Sequence, residues 1–171
     1  SSSIVLSSCV TTRRLAVCSV SPITLTTYTI GGAATNYTVT GLPSGLSHSI
    51  IGNTISISGT PSESGIYTIT TVGSSAVCNE VSILGSVTLN QLPTATLTSS
   101  SVVACSGYTD PINLTVTLTG TPNWEVVYTD GTANTTVSNI TTSPIKIQVS
   151  PLSTKSYSLV SVSDASCTGV V

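Results

Sequence analysis

Apolar and polar residues alternate with a period of two in short runs along the whole chain. Thr54-Ile55-Ser56-Ile57-Ser58, Ile66-Tyr67-Thr68-Ile69-Thr70 and Val81 to Leu89 do so in the first half. Leu114-Thr115-Val116-Thr117-Leu118, Ile145-Lys146-Ile147-Gln148-Val149 and Tyr157 to Val162 do so in the second. This period puts successive side chains on opposite faces of an extended strand, so each run predicts a strand with one buried face. Gly52-Asn53 and Asp130-Gly131 sit between such runs. Both pairs tolerate positive φ and predict tight hairpin turns. No helical stripe interrupts the pattern, and each half offers about seven strand candidates. Period-two patterning without helices predicts an all-β chain of antiparallel β-sandwiches, apolar faces inward and Ser and Thr outward.

Landmark residues recur. Cys18 and Cys78 are 60 residues apart, Cys105 and Cys167 are 62 apart, and the two pairs are offset by 87 and 89 residues. Tyr67 precedes Cys78 by 11 positions, and Tyr157 precedes Cys167 by 10. A period near 88 exceeds the roughly 20–50 residues of a solenoid unit and suits a sandwich domain of roughly 100 residues. Two tandem domains are expected, residues 1–91 and 92–171. The boundary falls at Gln91-Leu92-Pro93, where proline breaks the strand pattern.

Composition agrees and limits the partners. Ser and Thr fill about a third of the 171 residues, while charged residues make up 6%, against roughly 25% in ordinary domains. Four basic residues do not supply the dense phosphate contacts of nucleic-acid binding, so no nucleic-acid partner is expected. The mean hydropathy is +0.43, but no apolar run approaches the roughly 18 residues of a spanning helix. Seven aromatic residues are too few for the girdles of a porin-type barrel. The chain opens on Ser1-Ser2-Ser3 without a basic, then apolar, leader, and it reads as a mature piece of a longer precursor.

The equal spacing favours Cys18–Cys78 and Cys105–Cys167 as one structural disulfide per domain, which implies an oxidising compartment. Spacing alone does not fix connectivity, and reduced, buried cysteines are the competing reading. Cys9 is left over, either a free thiol or the partner of a residue elsewhere. With no C-x-x-C and one histidine, zinc is not expected. Tyr67 and Tyr157 sit where a tyrosine corner closes a sandwich, and plain packing is the equal alternative.

Gly41-Leu42-Pro43-Ser44-Gly45-Leu46, then Ile57-Ser58-Gly59-Thr60-Pro61 and Gly65-Ile66-Tyr67-Thr68, resemble the immunoglobulin-like repeats of bacterial surface proteins. Gly120-Thr121-Pro122-Asn123-Trp124, Tyr128-Thr129-Asp130-Gly131, Ser143-Pro144 and Tyr157 to Asp164 followed by Cys167 resemble the PKD-like repeats of giant secreted proteins of the Bacteroidota. The resemblance spans most of residues 18 to 171. It implies extracellular display on a bacterial surface, through the type IX secretion route of that phylum. Such repeats run on through a final strand after the last cysteine, where here Thr168 to Val171 follow. The expectation is a piece of a longer array, or a strand supplied by a neighbour. Ser3 to Ser8 is a candidate donor strand, with first strand of its own domain as the favoured reading.

Candidate chemistry is sparse. His48 follows Ser47 in a turn-rich stretch without a nucleophile-elbow motif, and it reads as an exposed loop residue. The acids Glu63, Glu80, Asp110, Glu125, Asp130 and Asp164 form no paired motif for glycoside hydrolysis. Asp110, near the boundary, is the one candidate for a calcium ligand. Trp124, helped by Tyr128, is the candidate sugar-stacking contact, with core packing the favoured role for the tryptophan. Asn36, Asn113, Asn134 and Asn139 lie in N-x-Ser/Thr sequons. Lys146 and Lys155 carry the amines that an isopeptide crosslink needs. The chain is therefore expected not to be an enzyme and to hold no cofactor or metal. It reads as a structural or adhesive repeat module, a disulfide-stapled spacer or fibre block. Its expected partners are neighbouring repeats, other copies in a fibre, or a surface ligand. A carbohydrate-binding accessory module is the alternative.

Overall fold

The computed structural model describes residues 2–6, 14–32, 34–73, 80–98, 101–102 and 110–171. Every regular element in it is a strand, as Thr- and Val-rich alternating runs dictate. The chain divides into two units, Ser1–Asn90 and Gln91–Val171.

Unit 1 holds β1 (Ser2–Leu6), β2 (Arg14–Cys18), β3 (Thr26–Gly32), β4 (Ala34–Thr40), β5 (Leu46–Ile51), β6 (Thr54–Gly59), β7 (Gly65–Gly73) and β8 (Ser82–Asn90). They form two four-stranded sheets, in the orders β1-β3-β6-β5 and β2-β8-β7-β4. All pairings are antiparallel except β2 with β8, which is parallel. Gly52-Asn53 turns β5 into β6 as their residue types require. The core draws on both sheets. Tyr28, Ile30, Ile55 and Ile57 of one face Leu15, Tyr67, Ile69, Ile83 and Val87 of the other. Ile55 and Ile57 are fully buried at alternate positions of β6, and each such burial is worth about 1.5–3 kcal/mol.

Unit 2 holds β9 (Ala95–Leu97), β10 (Ser101–Val102), β11 (Ile112–Leu118), β12 (Trp124–Thr129), β13 (Asn134–Ile140), β14 (Ile145–Val149), β15 (Lys155–Ser156) and β16 (Ser158–Ser163). One sheet runs β14-β11-β9, the other β13-β12-β16, and β10 pairs with β15. Asp130-Gly131 lies in the turn from β12 to β13. Leu114, Val116, Leu118, Ile147 and Val149 pack against Trp124, Val126, Tyr128, Ile140 and Val162. Each unit is thus an immunoglobulin-like β-sandwich with its own core.

β4 and β13 lie outside the alternating runs read from sequence. Their burial is slight, with one buried residue, Ile140, between them, so an apolar period has little to mark them.

Candidate functional site

The residues singled out for chemistry are mostly held by the sandwiches themselves. Trp124 opens β12 with its indole in the core, 6% exposed, and its Nε1–H donates to the Thr119 carbonyl at 2.9 Å. Tyr128, two inward positions further along β12, is 9% exposed and packs at a tilt against Tyr157, ring centroids 6.2 Å apart. Neither offers an open ring face on which a sugar could stack.

Tyr67 does not make a tyrosine corner. Its hydroxyl meets that of Tyr28 at 2.7 Å inside unit 1, and the rings stand nearly perpendicular. Burial, then the Tyr28 hydrogen bond, push the Tyr67 hydroxyl far above its ordinary range. Two phenols that satisfy each other are a low-cost way to bury polar atoms. Gly85 stands opposite on β8, where the Tyr67 ring fills the space of a side chain.

His48 lies on the edge strand β5 rather than in a loop. Its Nδ1 is 3.2 Å from the Tyr37 hydroxyl, and the two rings meet edge to face. His48 is exposed and Tyr37 is half-buried against the core of unit 1.

Three of the acids, Glu63, Asp130 and Asp164, fasten turns, and Glu125 bonds across two strands. Glu63 accepts from the Ser44 hydroxyl at 2.7 Å and the Ser44 N–H at 3.1 Å, which holds its carboxyl below the ordinary range. Glu125 accepts from Ser138 at 2.7 Å. Burial opposes ionisation of Asp164, but the amides of Thr121, Ser166 and Cys167 outweigh it and lower its pKa. Asp130 accepts from the Thr132 and Ala133 amides, each at 2.9 Å, and pairs with Lys155 Nζ at 3.0 Å. The Ala133 and Thr132 amides, then Lys155, pull its carboxyl to about 2. Lys155 faces an ionised, partly exposed carboxylate, the wrong protonation state for amide formation. Lys146 is exposed on β14. Among the described residues no three His, Cys, Asp or Glu side chains gather into a metal site; Asp110 is exposed.

Asp130 predicts a pH effect. Its folded pKa lies below the ordinary aspartate range, so the ionised form favours the folded turn. That contribution is full above the unfolded pKa and is lost as pH falls through about 2. Asp130→Asn should flatten the acid limb of thermal stability between about pH 5 and pH 2. Melting curves at fixed salt check this; an unchanged acid limb would show that the turn does not use the charge.

Cys18 and Cys167 are both disulfide-bonded. Cys9, Cys78 and Cys105 lie outside the described residues. All four sequon asparagines, Asn36, Asn113, Asn134 and Asn139, are exposed. No helix among the described residues is long and apolar enough to cross a membrane, which says nothing of β-barrels.

No protein-family model matches the chain. No curated protein matches it either. Among solved structures it is similar to an I-band fragment of titin, with a TM-score of 0.53 and 15% identity, covering 92% of this chain and 62% of that one. An E-to-A mutated variant of the same three-Ig titin structure gives a TM-score of 0.50 at 15% identity, again covering 92% and 62%. The chain thus spans 62% of the length of these structures. At this identity the likeness concerns the fold alone: tandem immunoglobulin-like β-sandwiches.

Proposed function

We propose that the chain is a structural module, a pair of rigid spacer or adhesive repeats in a large exported surface protein. The carrying observation is where its chemistry-bearing side chains go. Trp124 and Tyr128 are in the core, Tyr28 and Tyr67 bond each other, and Glu63, Asp130 and Asp164 fasten turns. Such a molecule resists deformation and leaves recognition to loops, edges or further domains. Disulfide-bonded Cys18 and Cys167 favour an oxidising compartment and hence export. The resemblance of residues 41–68 and 120–167 to bacterial immunoglobulin-like and PKD-like repeats supports a bacterial surface, with type IX secretion as the route. The pairing Cys18–Cys78 and Cys105–Cys167 staples each repeat separately. The carbohydrate-binding reading loses its best residue with the indole buried.

Immunogold labelling of the source cells with an antibody to the chain is the direct test. Gold is expected on stalks or filaments that project from the cell. Uniform labelling of the cytoplasm would end the proposal.

A further inference from the structure

β5 is the outer strand of its sheet, in the order β1-β3-β6-β5. Among the described residues no strand pairs with its second edge. Its ladder partner β6, and the strand β4 that meets it through Tyr37 and His48, lie with it in the unbroken described run 34–73. Edge strands are commonly blunted by a charge, a proline or a bulge. β4, an outer strand of the other sheet, has a register shift between Ala34 and Asn36, and β2 opens on Arg14. β5 carries no acid, lysine, arginine, proline or bulge. Its residues Leu46-Ser47-His48-Ser49-Ile50-Ile51 pair with β6 without a break, and all but Leu46 are exposed.

The turn fixes which backbone groups face outward. Ile51 and Thr54 flank the two-residue turn Gly52-Asn53 and close the ladder, so they exchange both main-chain bonds. Bonded and non-bonded pairs then alternate along an antiparallel pair of strands. The N–H and C=O groups of Leu46, His48 and Ile50 therefore point away from β6, to the free edge. The Leu46 amide is used locally, donating to the Pro43 carbonyl at 3.1 Å. Leu46, His48 and Ile50 stand opposite Gly59, Ile57 and Ile55, which puts their side chains on the core side and those of Ser47 and Ser49 on the outer side.

From either end, Leu46-Ser47-His48-Ser49-Ile50 has one pattern: apolar, serine, histidine, serine, apolar. Such a strand is its own antiparallel complement. We propose that β5 is a homotypic docking edge, through which two copies of the chain pair antiparallel about a two-fold axis at His48. His48 then faces His48 of the second copy, Ser47 faces Ser49, and Leu46 faces Ile50. Each His48 amide donates to the His48 carbonyl opposite, and each Ile50 amide to the Leu46 carbonyl opposite. Main-chain bonds of this kind supply the affinity when a strand is added to a sheet, and the apolar cross-strand pairs continue the core side over the junction. Tyr37 already holds the His48 ring, with Nδ1 3.2 Å from the hydroxyl and the rings edge to face, which reduces the ordering cost of docking. A self-complementary patch is what a closed two-fold dimer requires. The pairing would join a spacer, an adhesin or a sugar-binding module alike, so it stands independently of the spacer function.

Sedimentation equilibrium of the full, oxidised chain at up to about 1 mM covers the range of weak, transient contacts. The mass should rise from 17.3 kDa toward twice that value. Hydrogen exchange of the His48 and Ile50 amides should slow about threefold or more in the concentrated sample, with β4 and the strands of unit 2 unchanged. His48→Lys and His48→Glu each set like charges face to face, and each variant alone should stay monomeric. An equimolar mixture of the two should dimerise again, one copy of each, because position 48 faces itself across the axis. A wild-type chain that stays monomeric throughout leaves the edge to some other polypeptide and overturns the proposal. So do variants that associate as strongly as the wild type, a mixture of folded variants no more associated than its parts, or protection confined to other strands. The wild-type mass and exchange decide the matter even if a variant does not fold.

Discussion

Trp124→Ala should cost unit 2 about 3–5 kcal/mol, the range for truncating a buried aromatic to alanine. A domain of this size has about 5–15 kcal/mol in all, so the variant should be marginal or unfolded at room temperature. Three losses combine: the apolar area of the ring, its packing against the second sheet, and the Nε1 bond to Thr119. Trp124→Phe separates them in part, since it keeps one aromatic ring but loses the donor and the rest of the indole, at about 1 kcal/mol for the bond plus a cavity and repacking cost. Urea titrations followed by far-ultraviolet circular dichroism measure both. A Trp124→Ala protein of unaltered stability that has lost affinity for a glycan would instead restore the sugar-platform reading.

Reduction is the second large effect. A bridge that closes a loop of about 60 residues contributes about 4 kcal/mol in the chain-entropy model. For domains of this size that corresponds to a fall in Tm on the order of 20 °C. The pairing decides how the loss is distributed. With Cys18–Cys78 and Cys105–Cys167, Cys18→Ala should lower the melting of unit 1 alone, and Cys167→Ala that of unit 2 alone. The fluorescence of Trp124, the single tryptophan, follows unit 2 and so separates the transitions. Non-reducing peptide mapping should recover residues 18 with 78 and 105 with 167. A fragment joining Cys18 to Cys9, or to Cys167, would refute one bridge per repeat.

The strands with the cleanest alternation are legible in the sequence because each has one face in the core. Thr54 to Ser58 lies in β6 with Ile55 and Ile57 buried, and Leu114 to Leu118 is the inner part of β11 with Leu114, Val116 and Leu118 buried. Turn residues are legible for a local reason, since Gly52-Asn53 carries its own conformational preference. What escapes depends on partners distant in sequence. The Tyr28–Tyr67 hydroxyl pair joins residues 39 positions apart. The parallel register of β2 on β8 has no local signature. His48 reads as a loop residue because an edge strand exposed along nearly its whole length, as β5 is, has no apolar period to reveal it. Trp124 has two readings in sequence, and only the position of the Thr119 carbonyl distinguishes a buried indole from a displayed one.

Among the described residues one ion pair, Lys155 with Asp130, is present, and the outward positions of most strands are hydroxyls. Ionic strength acts on separated charges over about 10 Å at 0.1 M salt and leaves neutral hydrogen bonds nearly untouched. A molecule built this way keeps its shape in river water and in brine alike.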